Sequence, residues 1–147
     1  MVNKKYIIAI FIIVIAVGFY LEVLRKTEII VVDQELNFSN IAVKNFPLTE
    51  NGKIAWWNEN KEYLRKKYDI PKPASNGDWY VNIWDYGDGF KSKPKGDIRV
   101  FNSETQDMMC FDSNENKCID KKMIMRVENN KDGTISIETG NDKKNIK

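Results

Sequence analysis

The sequence predicts an α+β fold: an N-terminal transmembrane helix, then a small antiparallel β-sheet domain carrying one main amphipathic helix. Three observations predict it. An unbroken apolar run covers Tyr6 to Leu21 (YIIAIFIIVIAVGFYL). Segments rich in β-branched and aromatic residues, bounded by turn residues, recur through the rest of the chain. One stretch near residues 53–68 carries apolar residues at helical spacing.

The apolar run is entered through Lys4-Lys5 and left through Glu22, Arg25 and Lys26. A charge at mid-bilayer costs roughly 2.5–3.5 kcal/mol on insertion scales, so a run that excludes charge suits lipid. A spanning helix needs about 17–25 residues, and Lys5 to Leu24 supplies them with Lys5 and Glu22 at the interfaces. Lys5 can snorkel, and Tyr6, Phe19 and Tyr20 suit the interfacial belts. The competing reading is a cleaved signal peptide, with Ala16-Val17-Gly18 as a small-x-small site. Phe19-Tyr20-Leu21 continues the apolar run past that site, which favours an uncleaved anchor. The short basic start points to an N-in, C-out orientation, although Arg25 and Lys26 place similar charge on the other side. The resulting division is a stub and anchor over 1–26, an α+β domain over 27–142 and a basic tail over 143–147.

About 120 residues follow the anchor, enough for one domain with a core of its own. Removing Lys4, Lys5, Arg25 and Lys26 leaves 19 of the 23 basic residues, and removing Glu22 leaves 20 of the 21 acids, a net charge of −1. That near-neutral balance argues against a nucleic-acid partner, which selects a basic stripe. Histidine is absent, so the commonest general base and transition-metal ligand are missing. Cys110 and Cys118 are close enough in sequence to bridge a hairpin, and a disulfide is the natural reading outside the cytoplasm.

Along the domain, Glu28–Glu35 reads as a strand, Asn37–Asn40 as a turn and Ile41–Phe46 as a second strand. Pro47 ends it. Thr49 or Asn51 can cap a helix from about Lys53 to Tyr68, with Ile54, Trp57, Leu64 and Tyr68 on one face. Pro71 and Pro73 stop the helix and begin an extended linker. Asp78–Tyr86 is the strongest strand, and Gly87-Asp88-Gly89 turns it toward a return strand at Phe90-Lys91. Ile98–Phe101 is a short strand, and Asp107–Asp112 and Cys118-Ile119 flank a polar turn that the cysteines would staple. Lys122–Glu128 and Thr134–Thr139 form a hairpin about Asn129–Gly133. The order suggests an antiparallel meander with one helix across a face, ending in a frayed Lys143–Lys147 tail.

Candidate chemistry is sparse. Asp85, Asp88 and Asp97 offer oxygens for calcium, and Asp112, Asn114 and Asn116 open like a calcium loop. The second lacks glycine at position six and carries Met123 where the bidentate Glu belongs, and turns favour these residues anyway. No metal and no cofactor is expected. Glu59/Glu62 and Asp85/Asp88 are the nearest acid pairs, without a G-x-S-x-G, a phosphate loop or a partnered nucleophile, so no catalytic residue is assigned.

The aromatics carry more. On Trp79–Tyr86 one face holds Trp79, Val81, Ile83 and Asp85; the other holds Tyr80, Asn82, Trp84 and Tyr86. One helix covers one face of a small sheet. The second face is either roofed by loops and the Cys110–Cys118 hairpin or open, and an open Tyr/Trp face has the composition of a protein hot spot. Trp56, about 100° around the helix from Trp57, poses the same question. Tyr80, Trp84, Tyr86 and Trp56 are therefore the candidate protein-binding residues, against the alternative of two-sided core packing.

Ile41-Ala-Val-Lys-Asn-Phe-Pro-Leu-Thr, Gly52-Lys-Ile-Ala-Trp-Trp, Tyr68-Asp-Ile-Pro-Lys-Pro-Ala-Ser and Trp84-Asp-Tyr-Gly-Asp-Gly-Phe resemble a family of short enterobacterial membrane proteins, domain-of-unknown-function family nine-four-three. The resemblance covers nearly the whole chain and transfers no catalytic residue. It implies a single-pass anchor in the bacterial inner membrane with the C-terminal domain in the periplasm, and proximity to contact-dependent toxin systems. The function expected is a membrane-anchored binding protein of the envelope with a protein partner, in its sharpest form an immunity-type protein that captures a toxin. The alternative is an accessory subunit of an inner-membrane assembly.

Overall fold

A computed structural model describes residues 2–92, 108–111, 117–140 and 142–146. The apolar run forms α1 (Lys4–Val23). From Tyr6 to Leu21 its large apolar side chains are exposed, and no part of this span is buried against the rest of the chain. A helix with apolar residues on every side and no protein contact satisfies its backbone internally and leaves its side chains for lipid. Among the described residues it is the one helix long and apolar enough to cross a membrane.

The remaining elements are β1 (Glu28–Glu35), β2 (Phe38–Lys44), α2 (Glu50–Tyr68), β3 (Tyr80–Asp85), β4 (Met108–Cys110), β5 (Cys118–Asp120), β6 (Met123–Asn129), β7 (Ile135–Thr139) and β8 (Asp142–Ile146). Among the described residues they make a six-stranded sheet in the order β1-β2-β3-β6-β7-β8 and a separate β4-β5 ribbon. The fold class is α+β, with a mixed sheet of mostly antiparallel strands. The simple meander is corrected at two places: β4 and β5 leave the sheet, so that β3 pairs with β6, and β2 and β3 are parallel, Phe38 facing Tyr80 and Val43 facing Asp85. Parallel neighbours need a crossover, and α2 provides it.

Each local boundary has a cause. The β1–β2 turn is tighter than Asn37–Asn40, because Glu35 already pairs with Phe38. Ser39 and Asn40 therefore belong to the strand, where both are buried and Ser39 Oγ donates to Gln34 Oε1 at 2.6 Å. Helix α2 starts earlier than its apolar pattern because Thr49 caps it, its hydroxyl oxygen accepting from Gly52 N at 3.1 Å. Gly52 is required there: a Cβ would stand 2.8 Å from Thr49 Oγ1 and 3.0 Å from Pro47 Cβ. Asp69 in the left-handed region closes the helix, its N–H donating to Arg65 O.

The core lies between α2 and one sheet face. Ile41, Val43, Val81, Ile83, Met125, Val127 and Ile137 project from the sheet against Trp56, Trp57 and Leu64, with Ile70 closing one end. A second cluster occupies part of the other face, where Ala42 and Trp84 meet Phe111 and Ile119 of the cysteine-bearing ribbon.

Two expected elements differ. The return strand at Phe90-Lys91 reduces to one bridge, Lys91 with Cys118, because β2 and β6 already occupy both edges of β3. The basic tail is not frayed: Asp142–Ile146 is β8, paired to β7 from Thr139–Asp142 to Ile135–Ile146. The expected Ile98–Phe101 strand lies outside the described residues, as do Asp97, Asp112, Asn114 and Asn116.

Candidate functional site

The sheet face opposite α2 divides into an apolar half and a polar half, because β2, β3 and β6 change character along their length. Toward the C-terminal ends of β2 and β3, Ala42 and Trp84 are roofed by Phe111 and Ile119, with Val31, Met109, Met123 and Tyr86 around them. The Cys110 and Cys118 sulfurs are 2.06 Å apart, disulfide distance, and the two residues face each other across the ribbon. Toward the N-terminal ends of the same strands the residues turn polar. Asn40, Asn82, Arg126, Glu138 and Lys143 occupy successive positions in one cross-strand row through β2, β3, β6, β7 and β8.

That row is hydrogen-bonded inward. Asn40 Oδ1 accepts from Asn82 Nδ2 at 3.1 Å and from Trp84 Nε1 at 3.0 Å. Asn82 Oδ1 accepts from Arg126 Nε at 2.7 Å. Asn40 and Asn82 are 6% and 4% exposed, so the arrangement leaves their polar groups partnered where bare burial would be costly. Arg126 is half-buried, and among the described residues its terminal nitrogens make no hydrogen bond or ion pair. An arginine held by its Nε in this way keeps the paired amino groups that bind a carboxylate in bidentate fashion. Beside it, Lys143 pairs with Glu128, whose hydrogen bond raises the lysine pKa above its ordinary value.

Two residue pairs further along, on the same face, Phe38 and Tyr80 stack with ring centroids 4.7 Å apart and 11° between planes. Phe38 keeps 39% of its surface exposed at the sheet end opposite Glu28, where β1 begins. The aromatic pair and Arg126 thus share one face of adjacent strands.

The four aromatic candidates separate on this geometry. Tyr80 is half-buried and belongs to the polar half. Tyr86 is half-buried and meets Phe90 edge-on at 5.2 Å, on the rim of the ribbon. Trp84 and Trp56 are corrected: they are 7% and 8% exposed and offer no ring to a partner. Trp84 lies under the ribbon. Trp56 packs edge-on against Phe46 at 5.0 Å, so the loop after β2 walls the side of α2 that spacing alone left open. Arg126 was missed from the sequence, although its signal is there: a charge interrupting the apolar Met123–Val127 strand marks the polar side of that strand.

A cavity of about 340 Å³ lies at the opposite end of the sheet, lined by Phe46, Pro47, Leu48, Lys53, Asp85 and Lys122. Asp85 is engaged there, Oδ1 by Gly87 N at 3.1 Å and Oδ2 by Lys122 Nζ at 3.2 Å. Glu59 is on the exposed side of α2. Among the described residues no three His, Cys, Asp or Glu side chains are grouped to hold a metal.

A family model described as enterobacterial putative membrane protein (DUF943) matches residues 1–147, the family that the sequence motifs resemble. No curated protein and no solved structure matches the chain.

Proposed function

The chain belongs to this enterobacterial membrane-protein family, and on that premise we propose that it is a membrane-anchored, non-catalytic binding protein of the bacterial envelope. The domain stands in the periplasm and α1 holds it to the inner membrane. In its sharpest form the protein is of the immunity type and captures a toxin domain in transit.

The observation that carries the reading is the pairing of Arg126 with the Phe38–Tyr80 stack on one sheet face. Arginine and large aromatics dominate protein hot spots because they combine apolar area with directional hydrogen bonds. Arg126 is pre-set by Asn82, so little freedom is lost when a partner carboxylate arrives. The stack lies at the end of β2 and β3 away from Lys44, which pairs with Glu28 just after the anchor. A partner approaching from the aqueous side meets that end first. Two cysteines facing each other across the β4–β5 ribbon suit an oxidising compartment.

The test is site-specific photocrosslinking in cells. A photoreactive residue at Phe38 should give one discrete protein adduct that disappears with Arg126→Ala, and the same probe at Lys61 on α2 should give none. Adducts from within Tyr6–Leu21, with none from Phe38, would replace this reading with the accessory-subunit one. Maleimide mass tagging of Cys110 and Cys118 in intact cells tests the compartment: thiols that react without reductant, and only after lysis, put the domain in the cytoplasm.

A further inference from the structure

We infer that the loop Asn45–Leu48 is a membrane-docking edge, which sets the soluble domain against the anionic headgroups of the bilayer that α1 spans. The inference rests on α1 spanning that bilayer and is independent of the partner proposed for Arg126.

The geometry of the tether carries it. Helix α1 has 20 residues and a length of about 30 Å, the thickness of the hydrocarbon core. Leu24–Thr27 then join it to β1, and four residues reach at most about 14 Å even when fully extended. The headgroup layer itself is about 5–7 Å deep on each side of the core. The domain end that the tether enters is therefore held within reach of the headgroups.

The loop Asn45–Leu48 is at that end. Thr27 Oγ1 donates to Asn45 O at 3.1 Å, so the last tether residue is fastened directly to the loop. Glu28 faces Lys44 in the β1–β2 register, which places the whole turn from β2 into α2 beside the root of the tether. Within that turn Leu48 is 93% exposed, more than any other large apolar residue described, including those of α1. Its position is not slack. Pro47 precedes it, and the Thr49 cap and Gly52 contact fasten the chain immediately after it.

The surroundings are those of an interfacial contact. Lys44 is exposed at the end of β2, and Lys53 stands half-buried in the wall of the adjoining cavity, its Nζ 3.3 Å from Ile124 O. Apolar insertion flanked by lysines is how a peripheral surface combines burial in the acyl boundary with attraction to phosphate. The molecule contains its own control. Leu36 is also prominent, at 83% exposure, but occupies the β1–β2 turn at the other end of the sheet.

The experiment places an environment-sensitive nitrobenzoxadiazole probe on Leu48→Cys or Leu36→Cys in the full chain, labelled without reductant. The chain is reconstituted in protein-free vesicles of phosphatidylethanolamine and phosphatidylglycerol. The probe at 48 should shift its emission to the blue, be quenched by shallow spin-labelled lipids and resist aqueous iodide several-fold better than the probe at 36. Replacing the lipid by neutral phosphatidylcholine should reduce that shielding. Equal iodide access at both positions would overturn docking, including the case in which Leu48 serves a protein partner. Shielding unchanged on neutral lipid would overturn the assignment to anionic headgroups.

Discussion

Trp84 Nε1 donates to Asn40 Oδ1 across the parallel β2–β3 pair at 3.0 Å, and both side chains are buried. The bond joins the two halves of the sheet face. Trp84 belongs to the roofed apolar half, while Asn40 begins the polar row leading through Asn82 to Arg126. One amide oxygen thus lets an indole be buried and orders the arginine two strands away.

Removal of that oxygen should be costly out of proportion to its size. Asn40→Leu leaves the Trp84 indole N–H and an Asn82 amide proton without acceptors in a buried site. At about 1–3 kcal/mol for an unsatisfied buried group, the expected loss is about 2–4 kcal/mol. Urea unfolding of the full chain in detergent micelles, followed by tryptophan fluorescence, measures it. A loss near zero would show that water replaces the lost acceptor.

The tryptophans and Tyr80 should respond oppositely to truncation. Trp56→Ala and Trp84→Ala remove buried rings and should each cost about 3–5 kcal/mol. Tyr80→Ala removes a half-exposed ring and a stack worth about 0.5–1.5 kcal/mol, so the fold should survive it. The same unfolding assay ranks the three. A stable Trp84→Ala protein would contradict the burial of Trp84 beneath the ribbon.

How far these roles were legible depended on what each residue answers to. Strand β1 was read to its observed ends because a run of β-branched residues, Ile29 to Val32, is local information. The parallel β2–β3 pairing was not, since alternation identifies a strand and says nothing about its neighbour. Asn37–Asn40 has turn composition, yet Ser39 and Asn40 are buried because Gln34, Asn82 and Trp84 supply partners from other segments. Helical spacing found Trp57 and Leu64, while the burial of Trp56 depends on Phe46, outside the helix. The roof over Trp84 was one of two readings the sequence left open, and deciding between them needed the position of Phe111 in space.

The pH dependence of stability should show a flat neutral plateau, because the chain has no histidine to titrate there. At the acid end, the Thr134 hydroxyl and then its N–H, both donating to Asp132, hold that carboxyl below its ordinary value. A depressed pKa means stabilisation present above the ordinary carboxylate range and lost as pH falls through the lowered value. At the alkaline end, Glu128 raises Lys143 and Asp120 raises Lys91. Those contributions are complete below the ordinary lysine pKa and disappear as pH rises through the raised values. Carbon-detected NMR titration should show Thr134→Val moving the Asp132 midpoint up and Glu128→Gln moving that of Lys143 down. Unmoved midpoints would mean the pairs do not persist in solution.

Strand β8 gives the sharpest distinction between a tail and an element. Lys143 pairs with Glu128 on one face of the sheet, and Lys144 reaches Glu50 in the first turn of α2 at 2.9 Å on the other. Ser136 Oγ also donates to Asn145 Oδ1 at 2.7 Å. Truncation after Gly140 removes these together and bares the β7 edge, where Ile135 and Ile137 alternate with polar residues. An uncovered edge with apolar side chains invites pairing with a second copy. The expected loss is about 1–3 kcal/mol from cross-strand pairs and partly exposed ion pairs, accompanied by self-association. Lys143→Gln alone should cost little, because the pair is screened by solvent, and should leave the chain monomeric. Unfolding and sedimentation of the truncated and substituted chains in matched micelles separate the two effects. A truncated chain as stable and monodisperse as the parent would return 143–147 to the role of a tail, and β7 would then be the working edge of the sheet.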